Sequence, residues 1–130
     1  MIVCVDTSAV MKLVVNEQES AAAAAYLVEM AASGAHLVAS MLLYTELHCA
    51  ARRRDMPFDV VNAVLAGINL VDVTRSDLMY AAALPRQLRS ADAIHLATAI
   101  RLQTDRLVAY DQELLLAATE SGLITASPGS

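Results

Sequence analysis

Four acidic residues stand where the chain is otherwise apolar, and together they could bind a divalent cation. Asp6 directly follows the strand-like run of residues 2–5, Glu46 and Asp92 lie in apolar helical patterns, and Asp111 follows a second strand-like run. A carboxylate is costly to remove from water unless a cation or a hydrogen-bond donor compensates its charge. Because the four acids come from distant segments, we predict that they converge on one cation site.

Each acid also has a purely structural interpretation. The residues three and four positions from Glu46 share its helical face and carry no charge, which favours a functional partner over a distant ion pair. Asp92 stands at a helix start, where acids commonly compensate the helix dipole. Asp6 and Asp111 each suit the N-cap of the following helix, and taken singly that role is favoured. Capping and metal binding are compatible, because a carboxylate has several lone pairs.

The donor set favours Mg²⁺ or Mn²⁺, because these ions prefer oxygen ligands. Zinc is disfavoured: Asp92 and His95 are spaced by three residues, but no second His or Cys lies at ligand spacing. His95, His48 and His36 are predicted to be ordinary core or surface histidines. No Ser or Cys has an evident partner base, so a covalent nucleophile is not expected.

Basic residues cluster locally although the chain is acidic, with a net charge of −5 and a pI of about 5.0. That balance argues weakly against nucleic acid, yet local basic patches can still bind phosphates. Arg53 lies two helical turns from Glu46, roughly 10 Å along one face, and could bind a phosphate there. Arg86 and Arg89 precede Asp92 closely. A helix dipole also accounts for the basic run of residues 52–54.

Short apolar strands alternate with helices, which predicts one α/β domain with a mainly parallel central sheet of four to five strands flanked by helices. We predict strands over residues 2–5, 36–39, 69–73 and 106–110, and an edge strand over 123–125. The predicted helices cover residues 7–15, 19–32, 40–51, 57–67, 76–84, 90–102 and 112–120, with Ser40, Ser90 and either Thr74 or Ser76 as N-caps and Pro57 in a first turn.

This topology places the acids together. Ligands of open α/β sheets bind at the carboxyl ends of the strands. Asp6 and Asp111 each follow a strand at that edge, and Glu46 and Asp92 lie in helices that leave it. The domain is expected to span residues 1–126.

Composition indicates a cytoplasmic chain with a large core. Hydrophobic residues make up 57% and the mean hydropathy is +0.48, which also suggests apolar surface covered by a partner or a dimer. The longest stretch without Asp, Glu, Lys or Arg has 16 residues, fewer than the roughly 20 of a membrane span. No signal peptide is evident. Cys4 and Cys49 are predicted to be buried in a reducing cytosol, and residues 127–130 to form a disordered tail.

Four segments, in this order, resemble PIN-domain ribonucleases, specifically the VapC-type toxins of type II toxin–antitoxin systems. The resemblance spans about residues 1–128. Family members often carry Thr or Ser two residues before the last acid, where this chain has Ala109. The matching segments are Val5-Asp6-Thr7-Ser8-Ala9 with Lys12, Tyr44-Thr45-Glu46-Leu47, Ser90-Ala91-Asp92-Ala93-Ile94-His95-Leu96-Ala97-Thr98-Ala99 and Tyr110-Asp111-Gln112-Glu113-Leu114.

The resemblance implies a metal-dependent endoribonuclease in which a water activated by Mg²⁺ or Mn²⁺ attacks phosphorus. It also implies a cognate VapB-type antitoxin, a homodimer and RNA as the substrate. The implied metal-binding and catalytic residues are Asp6, Glu46, Asp92 and Asp111. The candidate substrate-binding residues are Arg53, Arg86, Arg89 and Thr7.

Two other interpretations stay open at this point. A catalytically degenerate PIN module would bind RNA or protein without cleavage. A phosphoaspartyl protein is the other, but such a phosphatase needs a second Asp where this chain has Ser8, and a receiver domain needs a Lys late in the chain, whereas the only Lys is Lys12. Nucleotide-binding glycine motifs are absent.

Overall fold

The alternation of short apolar strands with helices produces a parallel sheet that is covered on both faces, as buried parallel strands require. In the computed structural model, which describes residues 1–130, the predicted α/β fold is confirmed. The strands are β1 (Ile2–Val5), β2 (His36–Ser40), β3 (Asn69–Val71), β4 (Arg106–Val108) and β5 (Ile124–Ala126). The helices are α1 (Thr7–Val14), α2 (Ser20–Ala32), α3 (Leu42–Arg53), α4 (Phe58–Leu65), α5 (Arg75–Ala83), α6 (Ser90–Arg101) and α7 (Gln112–Glu120).

The strand order fixes where a ligand can bind. All five strands run parallel in the order β3-β2-β1-β4-β5, with β1 at the centre. The chain builds outwards from β1 to β3 and then crosses back to β4 on the other side of β1. The point between β1 and β4 is therefore the topological switch point, where α/β sheets leave a crevice at the strand carboxyl ends. Asp6 follows β1 at that crevice.

The sheet separates two apolar layers, because successive strand side chains point to opposite faces. On β1, Val3 and Val5 pack with residues of α1 to α4, whereas Cys4 packs with residues of α6 and α7. The helix α5 lies against α6 and buries a single residue, Asp77. The core thus holds both strand ends of the crevice rigidly from two sides.

Helix starts depart from the sequence expectations at two serines. Ser40 belongs to β2 and does not cap α3, which starts after Met41 with no side-chain cap; the Ser40 hydroxyl bonds the His95 ring instead. Ser90 is the first residue of α6, and Arg89 holds the cap position without a side-chain cap bond. Both predictions were wrong, and for Ser40 a tertiary partner replaced the local one.

The other helix starts follow the expected chemistry more closely. Asp6 and Asp111 are N-caps, accepting hydrogen bonds from the backbone N–H groups of residues 8 and 114. Asp111 lies three residues beyond β4 and not one. Thr74 caps α5 in a reciprocal capping box with Asp77. Pro57 holds the N-cap position of α4, one residue before the predicted first turn.

The remaining expectations concern cysteines, the C-terminus and membranes. Cys4 is buried, and burial raises the pKa of its thiol to about 12, but Cys49 is exposed, contrary to prediction. The Tyr110 hydroxyl donates to the Pro128 carbonyl at 2.7 Å, and Ser127 donates to a β4-side carbonyl. The predicted disorder of the last four residues stays a prediction. None of the helices has the length and apolar character needed to cross a bilayer.

Candidate metal centre

The four predicted acids line one cavity at the switch point. This cavity has a volume of about 270 Å³ and contains acids from the ends of β1 and β4 and from α3 and α6. The structure therefore brings together side chains that are up to 105 positions apart, as the topology predicted. We call it the acidic cavity. Its lining residues are Asp6, Thr7, Ser8, Met11, Glu46, Arg89, Ala91, Asp92 and Asp111.

Asp6 is held in place by one of its two carboxylate oxygens. The backbone N–H and the hydroxyl of Ser8 donate to Asp6 Oδ2 at 3.1 and 2.6 Å. The Ser8 hydroxyl accepts in turn from the Tyr110 backbone N–H at 2.9 Å, which ties Asp6 to the end of β4. Asp6 Oδ1 is buried and has no hydrogen-bond partner. A buried carboxylate oxygen without a partner is costly and requires an explanation.

Glu46 is oriented from the protein interior. Its Oε1 accepts from the Thr7 hydroxyl at 2.6 Å and lies 2.5 Å from His95 Nε2. His95 is buried, and its Nδ1 lies 2.9 Å from the Ser40 hydroxyl. Burial alone would raise the pKa of Glu46, but the hydrogen bonds from His95 and Thr7 and the charges of His95 and Arg89 outweigh it and leave the pKa lowered. Glu46 is therefore ionised in the cavity wall.

Asp92 and Asp111 both form ion pairs with one arginine, Arg89. The Arg89 guanidinium contacts Asp92 Oδ2 at 3.3 Å and Asp111 Oδ2 at 2.9 Å. Burial, together with the charges of Asp6 and Asp111, raises the pKa of Asp92, and Arg89 offsets this only in part. The Arg89 side chain is 80% exposed, so its ion pairs lie at the solvent edge of the cavity. The acids thus retain uncompensated negative charge.

The residues of the acidic cavity fit a divalent cation in chemistry. All four acids offer oxygen donors, which suit Mg²⁺ or Mn²⁺, and the unpartnered Asp6 Oδ1 is an atom that a cation would satisfy. No group of three or more His, Cys, Asp or Glu side chains is arranged as a finished metal site. Three of the acids have partners within the chain: Glu46 Oε1 is engaged by Thr7 and His95, and Arg89 contacts Asp92 and Asp111.

The predicted phosphate-binding residues fall in three places. Arg53 lines a second cavity of about 480 Å³ that shares Thr7 and Glu46 with the acidic cavity, so it lies beside the acids. Arg89 lies in the acidic cavity itself. Arg86 lies away from it, where its guanidinium pairs with Glu113 and Glu120 on α7. Geometry therefore favours Arg53 and Arg89 over Arg86 as contacts of a ligand in this region.

Sequence reasoning missed two residues of the site. His95 was expected to be an ordinary histidine, yet it touches Glu46 directly. Its spacing of three from Asp92 was a usable signal, since residues i and i+3 share a helical face. Ser8 was given no role in the site, yet its hydroxyl donates to Asp6.

The comparisons with known proteins identify the family of the chain. A family model described as PIN domain matches residues 3–120. Ribonuclease VapC47 of Mycobacterium tuberculosis (strain CDC 1551 / Oshkosh) is 34% identical over 130 residues, which cover 96% of each chain. Ribonuclease VapC46 of Mycobacterium tuberculosis (strain ATCC 25618 / H37Rv) is 37% identical over 132 residues, covering 95% of each chain.

Solved structures share the fold at low sequence identity. VapBC2 from Rickettsia felis, bound to a DNA fragment from its promoter, matches with a TM-score of 0.78 and 14% identity over 97% of this chain and 98% of that one. Mycobacterium tuberculosis VapC20, a toxin that cleaves the sarcin–ricin loop, matches with a TM-score of 0.73 and 18% identity over 97% and 99%. At these identities the likeness concerns the fold alone.

Proposed function

The chain belongs to the PIN-domain family, among its VapC-type proteins, and on this premise we propose that it is a metal-dependent endoribonuclease and the toxin of a toxin–antitoxin pair. One observation carries the proposal: four acids line a single cavity at the switch point, and the most buried of them keeps an unpartnered oxygen. A degenerate module that only binds would have no need to retain this costly arrangement.

The cation would be held by the four carboxylates of the acidic cavity, Asp6, Glu46, Asp92 and Asp111. When bound, Mg²⁺ or Mn²⁺ supplies Lewis-acid activation of water and compensation of the charge that develops at phosphorus. The backbone N–H and the hydroxyl of Ser8 both bind one oxygen of Asp6, which leaves the other oxygen available to a cation. His95 and Thr7 occupy one oxygen of Glu46 and leave the other without a hydrogen bond. These contacts orient the donors before any ligand arrives.

RNA would approach along the acidic cavity and the cavity that adjoins it. Arg53 opens to the adjoining cavity beside Glu46, and a guanidinium binds phosphate oxygens through paired donors. Arg89 is exposed at the rim and can leave its two acids for a phosphate. We assign backbone binding to Arg53 and Arg89; Arg86, already paired with two acids of α7, is the weakest of the predicted contacts. The expected product ends are 5′-phosphate and 3′-hydroxyl.

We further propose that the chain pairs with a VapB-type antitoxin, that it forms a homodimer and that it acts on RNA in the cytoplasm. The fold neighbours include VapBC2 from Rickettsia felis and FitAcB from Neisseria gonorrhoeae, which are 14% and 15% identical to this chain. On this chain, Leu78, Met79 and Tyr80 of α5 are exposed large hydrophobic side chains. Large apolar side chains left exposed to water favour cover by another chain.

The test is cleavage of a defined RNA by the purified chain with Mg²⁺ or Mn²⁺. We expect cleavage that EDTA abolishes and that Asp6→Asn reduces by about 1,000-fold or more, since the variant removes charge at the most buried donor. Asp59→Asn, an exposed site on α4, is the matched control and keeps wild-type activity.

Two outcomes contradict the proposal. Cleavage that survives Asp6→Asn would come from another site or another protein. RNA binding by the wild-type chain without metal-dependent cleavage of any RNA tested would favour the degenerate module.

A further inference from the structure

We infer that His95 is a positioning residue that holds the Glu46 carboxylate in its metal-binding orientation. The inference rests on the proposed function and deepens it, because it assigns a role to a buried residue that does not itself bind the metal. His95 is 2% exposed and comes from α6, whereas Glu46 comes from α3. Their contact at 2.5 Å therefore joins two separate helices behind the wall of the acidic cavity, which Glu46 lines and His95 does not.

The proton positions follow from the hydrogen-bond inventory. An ionised Glu46 can only accept, so His95 Nε2 carries the proton in this contact. In neutral His95 the other nitrogen, Nδ1, must then accept, and the Ser40 hydroxyl at 2.9 Å is available as its donor. In protonated His95 the same nitrogen donates to the Ser40 oxygen. In both states Nε2–H faces the ionised Glu46, and the Ser40 hydroxyl bonds Nδ1 as donor or as acceptor and so holds the ring in place.

The contacts leave one face of Glu46 free. Thr7 and His95 both engage Oε1, and Oε2 makes no hydrogen bond. A glutamate has three rotatable side-chain bonds and loses considerable rotamer freedom when it is fixed. His95 and Thr7 fix the Glu46 rotamer before a cation arrives, so cation binding does not have to bear this loss of side-chain entropy. Outer-shell partners of this kind typically change metal affinity by about 10- to 100-fold when they are removed.

A purely structural role of His95 would have different consequences from a positioning role, and these can be measured. If His95 only fills the core, its loss lowers stability and leaves metal affinity unchanged. A matched residue on the same helix has that character: Thr98 is fully buried and donates to Asp77 at 3.0 Å, outside the acidic cavity. Thr98→Val removes a buried hydrogen bond at nearly constant volume and touches no metal donor.

The experiment measures Mn²⁺ affinity of the metal-free chain by titration calorimetry, alongside its melting temperature. We expect His95→Leu to weaken Mn²⁺ binding by about 10- to 100-fold. His95→Gln, whose amide can donate to Glu46, should recover most of that affinity. Thr98→Val should lower the melting temperature with Mn²⁺ affinity within about 2-fold of wild type. Wild-type affinity in a folded His95→Leu chain overturns the inference.

A second variant decides the matter if His95→Leu does not fold. Ser40→Ala keeps the imidazole and removes the hydroxyl that holds the ring at Nδ1, so weaker Mn²⁺ binding supports the inference and unchanged binding overturns it. Failure of the proposed function looks different. In that case the wild-type chain shows no Mn²⁺ binding that Asp6→Asn removes, and the His95 comparison has no wild-type value to start from.

Discussion

Asp6 and Asp77 are equally buried, each 2% exposed, yet the chain treats them in opposite ways. Both oxygens of Asp77 are satisfied: Arg101 donates to Oδ1 at 2.7 Å, and Oδ2 accepts from Thr98 at 3.0 Å and from the Thr74 backbone N–H at 3.1 Å. Asp6 contacts no basic side chain, and its Oδ1 has no partner at all.

The difference teaches how to interpret a buried acid. Removing a carboxylate from water has a similar cost at both places, so burial alone does not mark a functional site. At Asp77 the protein's own side chains and backbone satisfy both carboxylate oxygens, so this acid has a structural role. At Asp6 one carboxylate oxygen lacks a partner, and a bound cation would provide it. An incomplete set of partners, and not burial, is the useful marker.

One helix serves both regions. The first half of α6 places Asp92 in the acidic cavity and His95 against Glu46, and its second half presents Thr98 and Arg101 to Asp77. The two halves are a single helical turn apart. The network around Asp77 therefore anchors the helix whose other end positions the metal donors, and the two regions can be perturbed separately.

The largest expected effect is the loss of the Asp77 network. Asp77→Asn removes the negative charge that pairs with Arg101 and accepts from Thr98. Breaking a buried ion pair costs about 3–5 kcal/mol. Because the Arg101 side chain is 34% exposed and can regain water, we expect the free energy of unfolding to fall by about 2–3 kcal/mol. Urea denaturation in EDTA measures it.

The same measurement on Asp6→Asn tests the comparison directly. We expect little loss of metal-free stability, because Asn can still accept from Ser8 and the uncompensated charge disappears. A loss as large as that of Asp77→Asn would mean that Asp6 acts chiefly as an N-cap, and the contrast between the two acids would disappear.

Much of this molecule could be predicted from sequence because its signals are local. Short apolar runs and capping residues located the strands and helices to within two residues, and the rule that ligands bind at strand carboxyl ends brought Asp6 and Asp111 together. The acid in α3 was found because a charge on an apolar helical face needs a partner.

The rest depends on contacts between elements that no local pattern encodes. Asp77 lies in the first turn of α5, and only the packing of α5 on α6 buries it. Ser40 looked like a helix cap because its competing partner, His95, is 55 residues away. The prediction of an ordinary core or surface histidine at position 95 missed the contact of that side chain with Glu46. Tertiary partners overrode local propensity in each case.

The second effect is stabilisation by metal. A ligand that binds only the native state stabilises it by about 2 kcal/mol at 30 times its Kd, so Mn²⁺ should raise the melting temperature of the wild-type chain. Thr98→Val should retain that increment from a lower starting point, whereas Asp6→Asn should lose it. An equal increment in Asp6→Asn would locate the ion elsewhere on the chain.

The third effect is a pH dependence of opposite sign in the two regions. Burial would raise the pKa of Asp77, but Arg101, Thr74 and Thr98 outweigh it and lower the pKa, so its stabilising contribution exists above the unfolded pKa and is lost as pH falls through the folded one. Burial and neighbouring acids raise the pKa of Asp92, so metal-free stability declines as pH rises from the ordinary value of 3.8 through the folded pKa.

Asp92→Asn removes that decline. Its melting temperature in EDTA should exceed that of the wild type by an amount that grows with pH and then levels off, and it should stay smaller than the loss at Asp77. Asp77→Asn should instead lose its disadvantage towards acid pH. A constant difference between Asp92→Asn and wild type across this range would show that Asp92 is not strained by its neighbours.

The smallest effect concerns Arg89, the cation that the chain supplies at the rim. Its ion pairs with Asp92 and Asp111 must be given up, at least in part, when a metal ion binds those acids. Solvent-exposed ion pairs are weak, so Arg89→Gln should tighten Mn²⁺ binding by only about 2- to 5-fold in calorimetry. Arg75→Gln, an exposed site at the start of α5, makes the same change in net charge and should leave the affinity unchanged. Equal tightening in both variants would reduce the effect to overall charge, whereas weaker binding in Arg89→Gln would mean that Arg89 helps to assemble the acids and does not compete for them.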